Sequence, residues 1–285
     1  MDIYYYSGTG NSLHVARQIA ARFPEARLLP MVGLLGERTP SSSAKVIGFV
    51  FPIYLASLPR PVKEFAERLE LPAARYVFAV ATRTGTSHVA DRRLDRILRH
   101  KGHGLDAFFV LGMTINSPCG LVPKSFPGFK KMTSEWPSRI APERVAERDA
   151  AVAERIPEIE QIIRGHRTHH DETGLGTALS KAMMGAFTAA GNRTQEKAVI
   201  PYYASDECTG CGICVEVCPS SRVGMTEDGR PQWHKEVPCF FCYACFNWCP
   251  EQAILLRDRY TEQRGRFTHP SVSHTDIAAQ KAKPA

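Results

Sequence analysis

Eight of the nine cysteines fall between Cys208 and Cys249, in two runs of one pattern. Cys208, Cys211, Cys214 and Cys218 are followed by Pro219, and Cys239, Cys242, Cys245 and Cys249 by Pro250, with every pair offset by 31 residues. Each copy reads C-x2-C-x2-C-x3-C-P, a spacing that places thiolates on [4Fe–4S] cubanes. Three cysteines two residues apart wrap a tight loop around one cubane. The fourth enters the next helical turn, fixed by the proline, and points toward the other cluster. One cluster is therefore expected on Cys208, Cys211, Cys214 and Cys249, and the second on Cys239, Cys242, Cys245 and Cys218. Zinc also binds C-x2-C pairs, but it requires neither the third cysteine of each run nor the trailing proline.

The two runs differ in their neighbours. The first has Thr209, Gly210, Gly212 and Ile213; the second has Phe240, Phe241, Tyr243, Phe246 and Trp248, with Trp233 upstream. Aromatics build the core of a small module, and they also shield a cluster from water. Shielding disfavours the extra negative charge of reduction, so the sequence predicts the more negative potential for the second cluster.

A second chemical feature lies near the N-terminus. The apolar run Ile3–Tyr6 leads into Ser7-Gly8-Thr9-Gly10-Asn11-Ser12, where a helix begins. Hydroxyls, glycines and free N–H groups at a helix start form a phosphate site. The Lys-Ser/Thr pair of a nucleotide-triphosphate loop is missing, as is G-x-G-x-x-G. After the first strand of an α/β domain, the loop fits the phosphate of FMN, with Ser7, Thr9, Gly10, Asn11 and Ser12 as contacts.

Positioning such a loop requires a sheet. Strand-like runs are Ile3–Tyr6, Lys45–Phe51, Arg75–Thr82 and Leu105–Thr114, with a weaker one at Ala26–Pro30. Amphipathic stretches at Asn11–Phe23, Val62–Leu69, Val89–His100 and Pro142–Arg164 alternate with them, and Pro157 interrupts the last. This pattern predicts an α/β fold: a flavodoxin-like, doubly wound, five-stranded parallel sheet over residues 1–165. A helical connector follows at 166–198, with Leu175, Leu179, Met183 and Phe187 at fourfold spacing. A small α+β two-cluster module occupies 199–259, and a polar tail with disordered final residues occupies 260–285.

The 285 residues carry a net charge of +7, with 44% hydrophobic and 23% charged residues, a globular balance. The balance is +8 over residues 1–198, −3 over 199–259 and +2 over the tail. Opposed charges predict that the acidic module docks on the basic half, with Arg92, Arg96 and Arg99 as a candidate docking face, a face for an acidic external partner, or a plain solvated helix face. No reader motif accompanies the basic charge, which argues against nucleic-acid binding. No run suits a membrane span or a secretory signal, so the expected compartment is the cytoplasm, where cysteines stay reduced. Cys119 reads as an ordinary thiol.

On these residues the chain resembles the flavodoxin–ferredoxin fusion proteins of prokaryotes. Ser7–Ser12 is similar to the flavodoxin phosphate loop, and Gly265-Arg266-Phe267-Thr268-His269-Pro270 looks like a short motif near the end of such chains. Phe51-Pro52-Ile53-Tyr54 and Thr82–His88 resemble the two loops flanking the flavin ring, so the resemblance implies ring contacts from Pro52, Tyr54, Thr82 and Gly85. Where the family often has Met-Pro-x-Asn-Tyr, this chain reads Met113-Thr114-Ile115-Asn116-Ser117. The expected function is electron transfer between two [4Fe–4S] clusters and FMN, and on to an unidentified redox partner protein. The alternatives are an iron–sulfur flavoenzyme reducing a small molecule such as a quinone, and a redox sensor. Oligomeric state is not readable from the sequence.

Overall fold

The computed structural model describes residues 1–84, 89–117, 134–171, 200–257 and 265–284, with residues 125, 127, 131 and 186 singly. The predicted connector helix, Cys119 and Gly85 lie outside these residues.

Buried, β-branched and aromatic runs form the parallel strands β1 (Asp2–Tyr5), β2 (Arg27–Pro30), β3 (Val46–Pro52), β4 (Tyr76–Arg83) and β5 (Ala107–Gly112). Both faces are covered by helices, so β3 and β4 are buried along almost their whole length. The principal helices are α1 (Asn11–Ala20), α2 (Met31–Leu34), α3 (Arg60–Arg68) and α4 (Ala90–Arg99), then α5 (Trp136–Arg139) and α6 (Pro142–Arg164). Val152, Ile156, Ile159 and Ile163 form the buried stripe of α6, which runs unbroken through Pro157. On α4, Leu94 and Leu98 are buried while Arg92, Arg96 and Arg99 are exposed, with Arg99 paired to Asp95: a solvated face.

The five-stranded expectation needs correcting. The sheet has six strands in the order β2-β1-β3-β4-β5-β6. The sixth, β6 (His169–His170), pairs in parallel with Ala107 and Phe108. After α6 the chain returns along β5, whose outer backbone groups would otherwise be an open edge. The amides of His169 and Asp171 donate to the carbonyls of Asp106 and Phe108. The order reverses between β1 and β3, and in open α/β sheets that switch point is where ligands sit, at the carboxyl ends of the strands.

The cysteine module is built from two antiparallel pairs. β7 (Tyr202–Ala204) pairs with β10 (Ile254–Leu256), and β8 (Val223–Met225) with β9 (Pro231–Trp233). Two short helices, α7 (Ile213–Glu216) and α8 (Ala244–Asn247), repeat at the 31-residue offset of the cysteines, as do β8 and β10. Among the described residues, the module meets the sheet through apolar contact. Val217, Phe240, Cys242 and Ala244 belong to the apolar core that contains Ile3, Leu13 and Phe49. No ion pair between described residues joins 1–171 to 200–257.

The tail also departs from expectation. Residues 265–284 are ordered and end in α9 (His274–Ala279), started by a Ser273–Asp276 capping box. Phe267, His269, Val272, Ile277 and Gln280 are buried.

One glycine shows how tightly the sheet is covered. A Cβ at Gly48 would press into the Phe78 ring, within 2.9 Å of both Cε atoms, and Phe78 is fully buried. Gly48→Ala should therefore destabilise the fold by ~1–3 kcal/mol through overpacking, against the usual advantage of Ala over Gly in a strand. Denaturant melts of Gly48→Ala, with and without Phe78→Leu, check this: the second change should recover part of the loss.

Candidate functional site

A cavity of about 340 Å³ opens at the carboxyl ends of β1, β3 and β4, within the range of small-molecule and cofactor sites. Its polar end is the turn from β1 into α1. Gly10 caps α1 with φ +102°, a left-handed conformation suited to glycine, and its N–H donates to Ser7 Oγ at 3.2 Å. No acidic residue lies in the first turn of α1 and no side chain caps it, so the positive end of the helix dipole faces the cavity unopposed. Ser12 Oγ and Thr82 Oγ1 share a 2.8 Å hydrogen bond, and Asn11 Nδ2 donates to the Thr114 carbonyl at 2.8 Å.

The other walls are apolar. Pro52, Ile53, Tyr54, Leu55 and Ala56 come from the loop after β3, and Phe241 and Tyr243 come from the cysteine module. Leu55, Ala56, Phe241 and Tyr243 all have positive φ, between +47° and +58°. Non-glycine residues pay ~1–3 kcal/mol for such conformations, which persist where surrounding structure imposes them and cluster at binding sites. In the module, Phe241 and Tyr243 occupy the places that Gly210 and Gly212 hold in the first run, where φ is +74° and +77°. The loop around each cysteine set thus has one backbone course, clothed with glycine in the first copy and with aromatics in the second.

Two polar groups at the cavity lack partners. Asn11 Oδ1 is buried and accepts nothing; the buried Arg83 Nε and Nη1 donate to nothing. Burial lowers Arg83 to about 10, which leaves it cationic at neutral pH. A half-buried guanidinium with two buried, unpartnered N–H groups favours an anionic ligand.

Behind Phe241 and Tyr243 lie the cysteines, gathered into two small cavities. One is lined by Cys208, Cys211, Cys214 and Cys249; the other by Cys218, Cys239, Cys242 and Cys245. All eight are free thiols. The first set borders solvent through the exposed Cys211, whereas Cys218, Cys242 and Cys245 are buried. Without metal, burial and then the charge of neighbouring cysteines push Cys214 up to about 12; burial also pushes Cys239 up to about 11. Such thiols are poor nucleophiles, and their charged forms need a cationic centre to neutralise them. Four converging sulfurs per cavity are the donor set of a tetrathiolate metal centre.

Ser7, Thr9, Asn11, Ser12, Pro52, Tyr54 and Thr82 line one cavity. Gly10 does not line it: it shapes the turn, and a Cβ there would meet His269 Cβ at 2.7 Å. Gly85 falls outside the described residues. Sequence reasoning did not single out Arg83 and Thr84 within the Thr82–His88 loop, drew no contact from Thr114–Ser117, and missed Arg139 and that Phe241 and Tyr243 face this cavity. For Arg83 a signal existed, as a cation ending a strand whose seven preceding residues are buried.

Residues 207–254 match the 4Fe-4S dicluster domain family. An uncharacterized ferredoxin of Methanocaldococcus jannaschii is 35% identical over 54 residues, which span 18% of this chain and 70% of that protein. No helix among the described residues is long and apolar enough to cross a membrane. With the cysteine repeat, its two four-sulfur cavities and this likeness in agreement, the chain belongs through its C-terminal module to the dicluster [4Fe–4S] ferredoxins, a family of iron–sulfur electron carriers.

Proposed function

We propose that this protein is an electron carrier in which the cavity at the strand ends holds FMN beside the two [4Fe–4S] clusters, exchanging electrons with a protein partner in a reducing, cytoplasmic setting. The observation that carries this reading is that Phe241 and Tyr243, on either side of the cysteine Cys242, form a wall of the cavity. A flavodoxin-like strand order, with the cavity at its β1/β3 switch point, supports the choice of flavin. When bound, FMN would exchange one or two electrons and each cubane one, so that paired electrons could be split or collected.

The chain's own residues divide the work. The start of α1 and the Thr9 and Ser12 hydroxyls would meet the phosphate, without a cationic side chain in the loop. Arg83 supplies positive charge at the end of β4. Pro52, Tyr54, Phe241 and Tyr243 exclude water from the rest. Cys208, Cys211, Cys214 and Cys249 would hold the cluster nearer solvent, the side a partner can reach; Cys218, Cys239, Cys242 and Cys245 would hold the one beside the cavity.

Anaerobically purified protein should contain about eight irons and eight sulfides per chain, two cubanes, with up to one FMN. Stoichiometric zinc with little iron would overturn the cluster reading, and failure to take up FMN the flavin reading. Thr9→Ala should weaken FMN binding about tenfold or more, since a hydrogen bond to a charged phosphate contributes ~1.5–3 kcal/mol. Riboflavin affinity should change little; titration by flavin fluorescence quenching separates the two.

Phe241→Gly tests the shared backbone of the two cysteine loops. It removes a left-handed non-glycine residue, so iron and sulfide content should hold at wild-type levels. FMN affinity should fall, because one apolar wall of the cavity is gone. Loss of iron with unchanged FMN affinity would reverse the assignment.

A further inference from the structure

The second cysteine cavity is surrounded by side-chain donors with nothing to donate to. The Tyr6 hydroxyl, the Tyr202 hydroxyl and the Trp233 indole N–H are all buried and without a hydrogen-bond partner. Native proteins seldom leave such groups unpaired, because each forfeits its hydrogen bonds to water. Two of them line one cavity together with the likewise unpartnered buried Arg222 Nε and Nη2, and Tyr6 packs on its Phe240 wall, so an acceptor is implied there.

Their placement identifies that acceptor. Tyr202 and Trp233 line the cavity of Cys218, Cys239, Cys242 and Cys245, with their rings stacked at 5.8 Å between centroids. Tyr6 approaches from the other side, at the end of β1, its ring edge-on to Phe240 at 6.5 Å. Phe240 lines that same cavity, and the four cysteine sulfurs are the acceptors its wall offers to these donors. The first cysteine cavity differs: its other lining residues are Thr209, Gly210, Gly212, Met225, Pro231, Glu251 and Ile254, and none of these brings an orphaned buried side-chain donor.

We infer that Tyr6, Tyr202 and Trp233 donate hydrogen bonds to the sulfurs at the second cysteine set and raise the reduction potential of the cluster held there. The inference rests on the reading that this set ligates a cluster. Donors to cluster sulfur stabilise the added negative charge of the reduced state. They oppose the burial on which the sequence-based expectation of a low second potential relied. One of the three belongs to the sheet and not to the module, so the docked sheet itself tunes the cluster.

The test is an anaerobic, EPR-monitored redox titration of the iron-loaded full chain, comparing wild type with Tyr6→Phe, Tyr202→Phe and Trp233→Phe. Phenylalanine keeps an aromatic ring and removes only the donor in the two tyrosine variants. Each should shift the reduction equilibrium of a single cluster roughly tenfold toward the oxidised form, about 59 mV lower for a one-electron couple. The shifted signal should be the one that Cys242→Ser abolishes, with the other unchanged. Should one variant lose iron, the remaining two decide. Unchanged potentials with about eight irons retained, or a shift in the other cluster, would overturn the inference while leaving the ligation intact. A wild-type protein without iron would overturn both.

Discussion

At Gly8 the two halves of the protein meet with no room for a side chain, and the rest of the site depends on that. A Cβ there would lie 2.7 Å from the Cys242 carbonyl oxygen, 2.8 Å from Cys242 Cβ and 2.8 Å from the Tyr54 hydroxyl. The turn after β1 and the second cysteine loop thus pack backbone against backbone. Neutral hydrogen bonds hold the approach: the Trp248 indole donates to the Gly8 carbonyl at 3.0 Å, and Asn116 Nδ2 to the Cys242 carbonyl at 3.1 Å. Asn247 closes the circle by donating to the carbonyls of Asn116 and Tyr243. Inside an apolar contact these bonds confer direction where burial confers most of the stability.

The C-terminal segment secures the same junction from behind. Arg266 lies over the Phe246 ring at 3.9 Å and donates to the carbonyls of Phe246 and Gln252. The chain then crosses to the sheet, where the His269 amide donates to the Thr9 carbonyl. Gln280, fully buried, accepts from the Ser7 amide and donates to the Ser7 carbonyl, both at 2.9 Å. A single amide side chain thereby completes both backbone groups at the entrance to the turn. Lys281 reaches back to the Val215 carbonyl. The Gly265–Pro270 motif and the residues after it thus act as a suture between the module and the turn.

Features with short-range causes were legible in the sequence. Metal-ligand spacing is local, so the eight cysteines could be sorted into two crossed sets before any fold was known, and the same sets line two separate cavities. Helix α6 begins and ends at the predicted Pro142 and Arg164, because its stripe repeats over many turns. β6 escaped notice because two histidines carry no periodicity; an exposed edge, not their own propensity, makes them a strand. The end of the tail read as disordered because its buried residues stand singly among polar ones. Nor could composition reveal that Phe241 and Tyr243 take glycine-like conformations. That follows only from matching the two copies residue by residue and asking what backbone both must share.

The apolar contact between module and sheet bears on kinetics. Carriers joined by a flexible linker meet by diffusion, and their exchange rate depends on linker length and solvent viscosity. Here Val217, Phe240, Cys242 and Ala244 are part of the sheet's own core. Swinging the module away would expose that surface to water and leave Tyr6 and Gly8 uncovered. The redox centres of the proposed carrier would consequently stand at one constant separation. Their internal exchange would be insensitive to viscosity, and the slow step would pass to the encounter with an outside partner.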